Sequence, residues 1–101
     1  MIIDPSGLAV SADLIGNKTN VSNSPIVYCC NRKNQDAGFI HLLDTSDNTT
    51  RTASLAIPAN CGIIIKKEAD QFMFTSSGVQ GGGANSNISL TPIRYGTWLN
   101  Y

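Results

Sequence analysis

Charge is scarce in this chain of 101 residues: Asp, Glu, Lys and Arg together make up 14%, against about 25% in an average globular protein. Asn, Ser and Thr stand in their place, which suits a protein held among others better than a free cytosolic enzyme. The seven basic and seven acidic residues cancel, so no field is offered to a nucleic-acid backbone or an anionic membrane surface. Long apolar runs are missing as well. None approaches the roughly 18 residues of a helical membrane span. The start, MIIDPSGLAVSADLIG, lacks a basic n-region and is broken early by Asp4 and Pro5. It does not read as a signal peptide, and Met1 is expected to begin an unprocessed chain. The N-x-S/T triplets at Asn17, Asn20, Asn48 and Asn87 then read as loop and turn composition rather than glycan sites.

Cysteine is present in an odd number: Cys29, Cys30 and Cys61. Neighbouring strand residues point to opposite faces, so Cys29 and Cys30 cannot both meet Cys61. These are expected to be small apolar residues in a reducing compartment rather than a disulfide framework. A metal site would need another Cys or His close by, and His41 is the only histidine.

The catalytic inventory is equally thin. His41 sits inside FIHLLD, where a packed or interface role is the plain reading. It could be drawn with Asp44 and a stray Ser, but no G-x-S-x-G elbow accompanies it. Asp36, Asp44, Asp47, Glu68 and Asp70 lie in or beside polar turns, where carboxylates cap amides or meet solvent. The glycine loop GGGANSN lacks the Lys-Ser/Thr pair and the helix of a phosphate loop, and DTSDNTT lacks the glycine and terminal glutamate of a calcium loop. The basic residues are not interleaved with aromatic platforms for single strands of nucleic acid. No enzyme, cofactor or metal is expected.

What is present is a period of two nearly everywhere. GLAVSADL places Leu8, Val10, Ala12 and Leu14 on one face. IVYCCN is a short, continuous apolar run and reads as a buried strand. FIHLLD follows, and then RTASLAI, with Ala53, Leu55 and Ile57 inward. PANCG breaks the ladder; IIIKK leads through EAD to QFMFTSS; ISLTPIRYG closes the series, with Pro92 marking an edge or a bulge. About seven strands with turns every ~8–12 residues predict a single antiparallel β-sandwich or small barrel over residues 1–101, with an aromatic tail at 97–101.

Three of these strands are apolar on both faces. If Ile63 and Ile65 enter the core, Ile64 points outward, and burying one isoleucine is worth about 1.5–3 kcal/mol. Tyr28 opposes Val27 and Cys29, and Phe39 opposes Ile40. Part of this second face is expected to meet another subunit. Trp98, Leu99 and Tyr101 are large anchors at a terminus that would otherwise fray. Tyr28, Phe39, Ile64, Trp98, Leu99 and Tyr101 are therefore the candidate contact residues.

The layout of residues 25–31, 44–50, 55–60, 63–67 and 72–77 resembles small β-domain virion proteins of tailed bacteriophages, marine and cyanobacterial ones especially. There, a PVYVVN-type strand, a D…TT turn, a strand ending IPAG and an I-x-K-K strand recur. Asn60 and Cys61 stand where those proteins usually carry glycine. The resemblance implies a capsid decoration (cement) protein, made in the host bacterial cytoplasm and placed on the capsid surface of the virion. Its partners would be the major capsid protein or other virion subunits, including copies of itself in a homo-oligomer such as a trimer. Neither nucleic acid nor membrane is implied. The alternative is a neck, tail or fibre-associated module that binds a host-surface carbohydrate or receptor.

Overall fold

The computed structural model describes residues 3–78 and 82–94. Six strands run in the order β1 (Ile26–Asn31), β2 (Gly38–Leu43), β3 (Arg51–Ile57), β4 (Gly62–Lys66), β5 (Met73–Ser76) and β6 (Ile88–Pro92), with one 3-10 turn at Ile15–Asn17. They form two antiparallel three-stranded sheets, β4-β1-β6 and β3-β2-β5. The sheets do not close into a barrel, and the arrangement fits a sandwich.

Between the sheets lies one core. From the first sheet it takes Val27, Cys29, Ile88 and Leu90, with Ile63 and Ile65 packed against it; from the second it takes Ile40, Ile57 and Met73, with Leu42 packed on. This is the alternation the sequence predicts: Val27 and Cys29 face in, and Tyr28 faces out. Asn31 at the end of β1 is fully buried. Its side-chain amide donates to the carbonyls of Ile57, Asp36 and Pro58 at 3.1, 3.2 and 3.3 Å, and its oxygen accepts the Lys33 N–H at 3.0 Å. It ties the first sheet to the end of β3 in the second.

The outer face of the first sheet has a smaller cluster of its own. Ile26 and Ile93 are buried there, with Ile3, Tyr28 and Ile64 packed around them. Tyr28 and Ile64 are cross-strand partners, and the Tyr28 ring lies so close over Gly62 that a Cβ there would collide with it. The outward member of the isoleucine triplet is thus half covered by its own chain.

The expected first strand, GLAVSADL, is not one. Leu8 is 87% exposed, whereas Ala12 is fully buried. The segment cannot keep one ladder because it crosses between sheets. Ser6 donates to the Pro92 carbonyl, and Val10 exchanges two bonds with Leu90 on β6; the Ala12 carbonyl then accepts from Thr75, and Thr19 exchanges two bonds with Met73 on β5. Residues 6–19 therefore seal one flank of the sandwich. Pro92 ends β6 at that flank, where its missing N–H costs no ladder bond. The glycine loop is anchored where it is described: Ser77 donates to the Gly83 carbonyl at 3.1 Å, and the Thr75 hydroxyl to that of Asn85 at 2.7 Å. Asn60 adopts φ 56°, the left-handed turn conformation that Asn tolerates better than most residues other than glycine.

Candidate functional site

Among the described residues nothing pairs with the opposite flank, formed by β3 and β4. Six of the seven residues of β3 are exposed, although Ala53 and Leu55 pair with Leu42 and Ile40 on the core side. Leu55 is 50% exposed. Beside it, an almost wholly apolar cavity of about 180 Å³ opens between the sheets, lined by Ile40, Leu42, Ala53, Ser54, Leu55 and Ile65.

Among the described residues the backbone of this flank is unpaired as well. Leu43 donates to the Phe72 carbonyl just ahead of β5, and Asn31 to the Cys61 carbonyl ahead of β4. Antiparallel ladders alternate, so Ile40 and Leu42 bond toward β3, and Val27 and Cys29 toward β4. The N–H and C=O groups of Ser54 and Ala56 on β3, and of Gly62, Ile64 and Lys66 on β4, consequently point away from their sheets and meet no strand among the described residues. Two parallel rows of donors and acceptors flank one greasy slot. Such an edge takes up an additional strand.

On the outer face of the second sheet, His41 is fully buried. Its Nδ1 lies 2.6 Å from the Ser54 hydroxyl on β3, its Nε2 lies 2.7 Å from the Ser76 hydroxyl on β5, and the ring stacks on Phe74 with centroids 4.6 Å apart. The 3-10 turn region covers Phe74 from outside, with Leu14, Ile15 and Arg51 around it. The Ser76 hydroxyl donates onward to the Gly78 carbonyl at 2.7 Å. Burial above all, and then the nearby Arg51, hold His41 below the usual histidine range, while the Gly78 carbonyl pulls the other way.

Of the residues singled out in the sequence, Tyr28, Phe39 and Ile64 are all half-buried. Tyr28 and Ile64 come together on the outer face of the first sheet, and Phe39 stands apart on β2. Trp98, Leu99 and Tyr101 lie outside the described residues. Asp44 is not a partner of His41: it accepts from the Ser46 N–H and hydroxyl, both at 2.8 Å. Asp47 likewise accepts from Thr49 and Thr50 in its own turn, so the carboxylates of DTSDNTT are used up as turn acceptors. All three cysteines carry free thiols. Burial, with Cys30 beside it, pushes the Cys29 thiol up to about 12, which makes it inert. Among the described residues no group of three or more His, Cys, Asp or Glu could hold a metal ion, and no helix is long and apolar enough to cross a membrane.

Sequence reasoning found His41 but neither of its serines. Ser54 and Ser76 lie 13 and 35 residues away, and only the strand register brings them to one place. The open flank had a signal in RTASLAI, whose outward positions are small or polar. No family model, curated protein or solved structure matches the chain.

Proposed function

We propose that the protein is a structural subunit of a tailed-phage particle, a decoration protein that packs on the capsid shell. The observation that carries this reading is the open flank, where Leu55 is half exposed between two strand edges that find no partner among the described residues. Its occupant is an extended segment of the major capsid protein or a sister subunit, added as a further strand beside β3. The backbone bonds hold that strand, and the apolar slot takes alternate side chains. Each added contact widens the interface between capsomers and so resists pressure from the packaged genome. The virion assignment rests on the resemblance of residues 25–77 to small phage β domains; the flank supports the assembly role by itself.

The test is occupancy on phage heads stripped of their decoration protein. Leu55→Lys places a charge in the slot, and Ala56→Pro removes an N–H that points away from its sheet. Each is expected to lower occupancy at least about tenfold, the effect of about 1.4 kcal/mol, with thermal unfolding little changed. Deleting residues 97–101 tests the aromatic tail separately. Full occupancy by the Leu55 and Ala56 variants would refute the flank's role. Failure of the unaltered protein to bind heads, with binding to a glycan array, would replace the reading by host-surface recognition.

A further inference from the structure

The hydrogen bonds around His41 fix its proton. A serine hydroxyl has one hydrogen, and that of Ser76 goes to the Gly78 carbonyl at 2.7 Å. The Ser76 oxygen must then accept, so Nε2 carries the imidazole proton across the 2.7 Å contact. In the neutral ring Nδ1 is left with its lone pair, and the Ser54 hydroxyl donates to it at 2.6 Å. The result is a hydroxyl, a base within hydrogen-bond reach, and a group that orients the base. Those are the parts an activated nucleophile requires. Ser54 is exposed on the edge strand, while His41 behind it is sealed from water.

We infer that Ser54 is a nucleophile, with His41 as its general base, that takes the acyl group of small activated carboxylic esters. The Ser54 oxygen bonds to the ester carbonyl carbon as its proton passes to Nδ1 of His41. The imidazolium then returns that proton to the departing alkoxide as the carbon–oxygen bond breaks, giving O-acyl-Ser54 and an alcohol. During the transfer the Nε2–H stays directed at the Ser76 oxygen and the Gly78 carbonyl, so the ring neither turns nor loses its partner. Water cleaves the acyl-serine by the same route in reverse. The N–H of Ser54 itself points to the free edge and is available to the carbonyl oxygen. An open groove of about 420 Å³ lined by Arg51, Thr52, Ala53 and Ser54 adjoins it, and its shallowness favours short acyl groups. The hydroxyl stands on the sheet face, but the Ser54 N–H is also one of the strand-pairing groups in the sheet plane, so a strand docked along β3 would withdraw that donor and slow the acylation.

p-Nitrophenyl acetate tests it on the whole chain. Nitrophenolate release is followed optically, and peptide mass mapping locates the acetyl group. The acetyl is expected on Ser54, at a rate about 10²-fold or more above that of Ser54→Ala, the scale of general-base assistance. His41→Asn should fall to the same background. Because that substitution touches a buried residue, the pH profile of the unaltered protein provides a second reading. Base assistance gives a rate that levels off once His41 is neutral, at a midpoint below the usual histidine value, whereas an unassisted serine keeps rising tenfold per pH unit with hydroxide. Acetylation confined to amines, an unchanged rate in Ser54→Ala, or a profile without a plateau would each overturn the inference.

Discussion

Replacing Asn31 with alanine removes the polar tie between the two sheets. Its amide carries two hydrogens shared among three carbonyls, and its oxygen takes one N–H, so three full hydrogen bonds are lost. At about 1 kcal/mol each, with a further penalty for carbonyls left buried, the cost is about 3–4 kcal/mol. For a domain of this size that lowers Tm by roughly 12–30 °C. Urea denaturation gives the free-energy difference directly, since the slope should not change if the folded state keeps its surface. Asn31→Asp sharpens the test. An ionised carboxylate facing the Ile57 and Pro58 carbonyls is repelled, so the folded-state pKa of this Asp rises above the ordinary ~3.9. Stability relative to the parent is then best below about pH 4 and lost as pH rises through the raised pKa. A loss under about 1 kcal/mol in Asn31→Ala, with no pH trend in Asn31→Asp, would refute the tie.

Three further outcomes are expected. Burial lowers the Lys67 ammonium to about 8, against a smaller pull from Asp70, so the unfolded chain binds more protons between about pH 8 and its ordinary ~10.4. Stability should climb through that window relative to Lys67→Met, by urea midpoints; parallel curves would contradict it. Backbone N–H groups of Thr49 and Thr50, and then the Thr50 hydroxyl, hold Asp47 at about 2, so its contribution, whole above about pH 4, should fade toward pH 2, and Asp47→Asn should remove that part of the acid transition. Gly38→Ala would set a methyl group 2.5 Å from Ile88 Cδ1 and 2.6 Å from Asn85 Nδ2, and should cost about 1–3 kcal/mol in thermal unfolding; a neutral result would mean that β6 gives way easily.

Where one short segment commits to one ladder, the sequence was readable. IVYCCN and RTASLAI coincide with β1 and β3, because their β-branched and alternating residues need no distant information to extend. GLAVSADL alternates just as well yet forms no strand, since its partners change from β6 to β5 midway, and periodicity carries no record of which neighbour supplies each bond. The isoleucine triplet was half legible: Ile63 and Ile65 do turn to the core, but the cover over Ile64 includes Ile3 and Ile93 from the two ends of the described chain. The serines at His41 depend on register across three strands, which only the folded sheet fixes.

The sealed flank has a bearing on how copies can string together. A unit with bare edges on both sides can propagate laterally without limit, the geometry behind fibre growth. Here residues 6–19 occupy β5 and β6, so a strand joining β3 or β4 finds no matching vacancy on the far side. Lateral growth through the sheets halts after a single addition, and pairs are favoured over filaments. The N-terminal crossing thus acts as a chain terminator, and clipping it away would turn a self-limiting brick into one prone to polymerise.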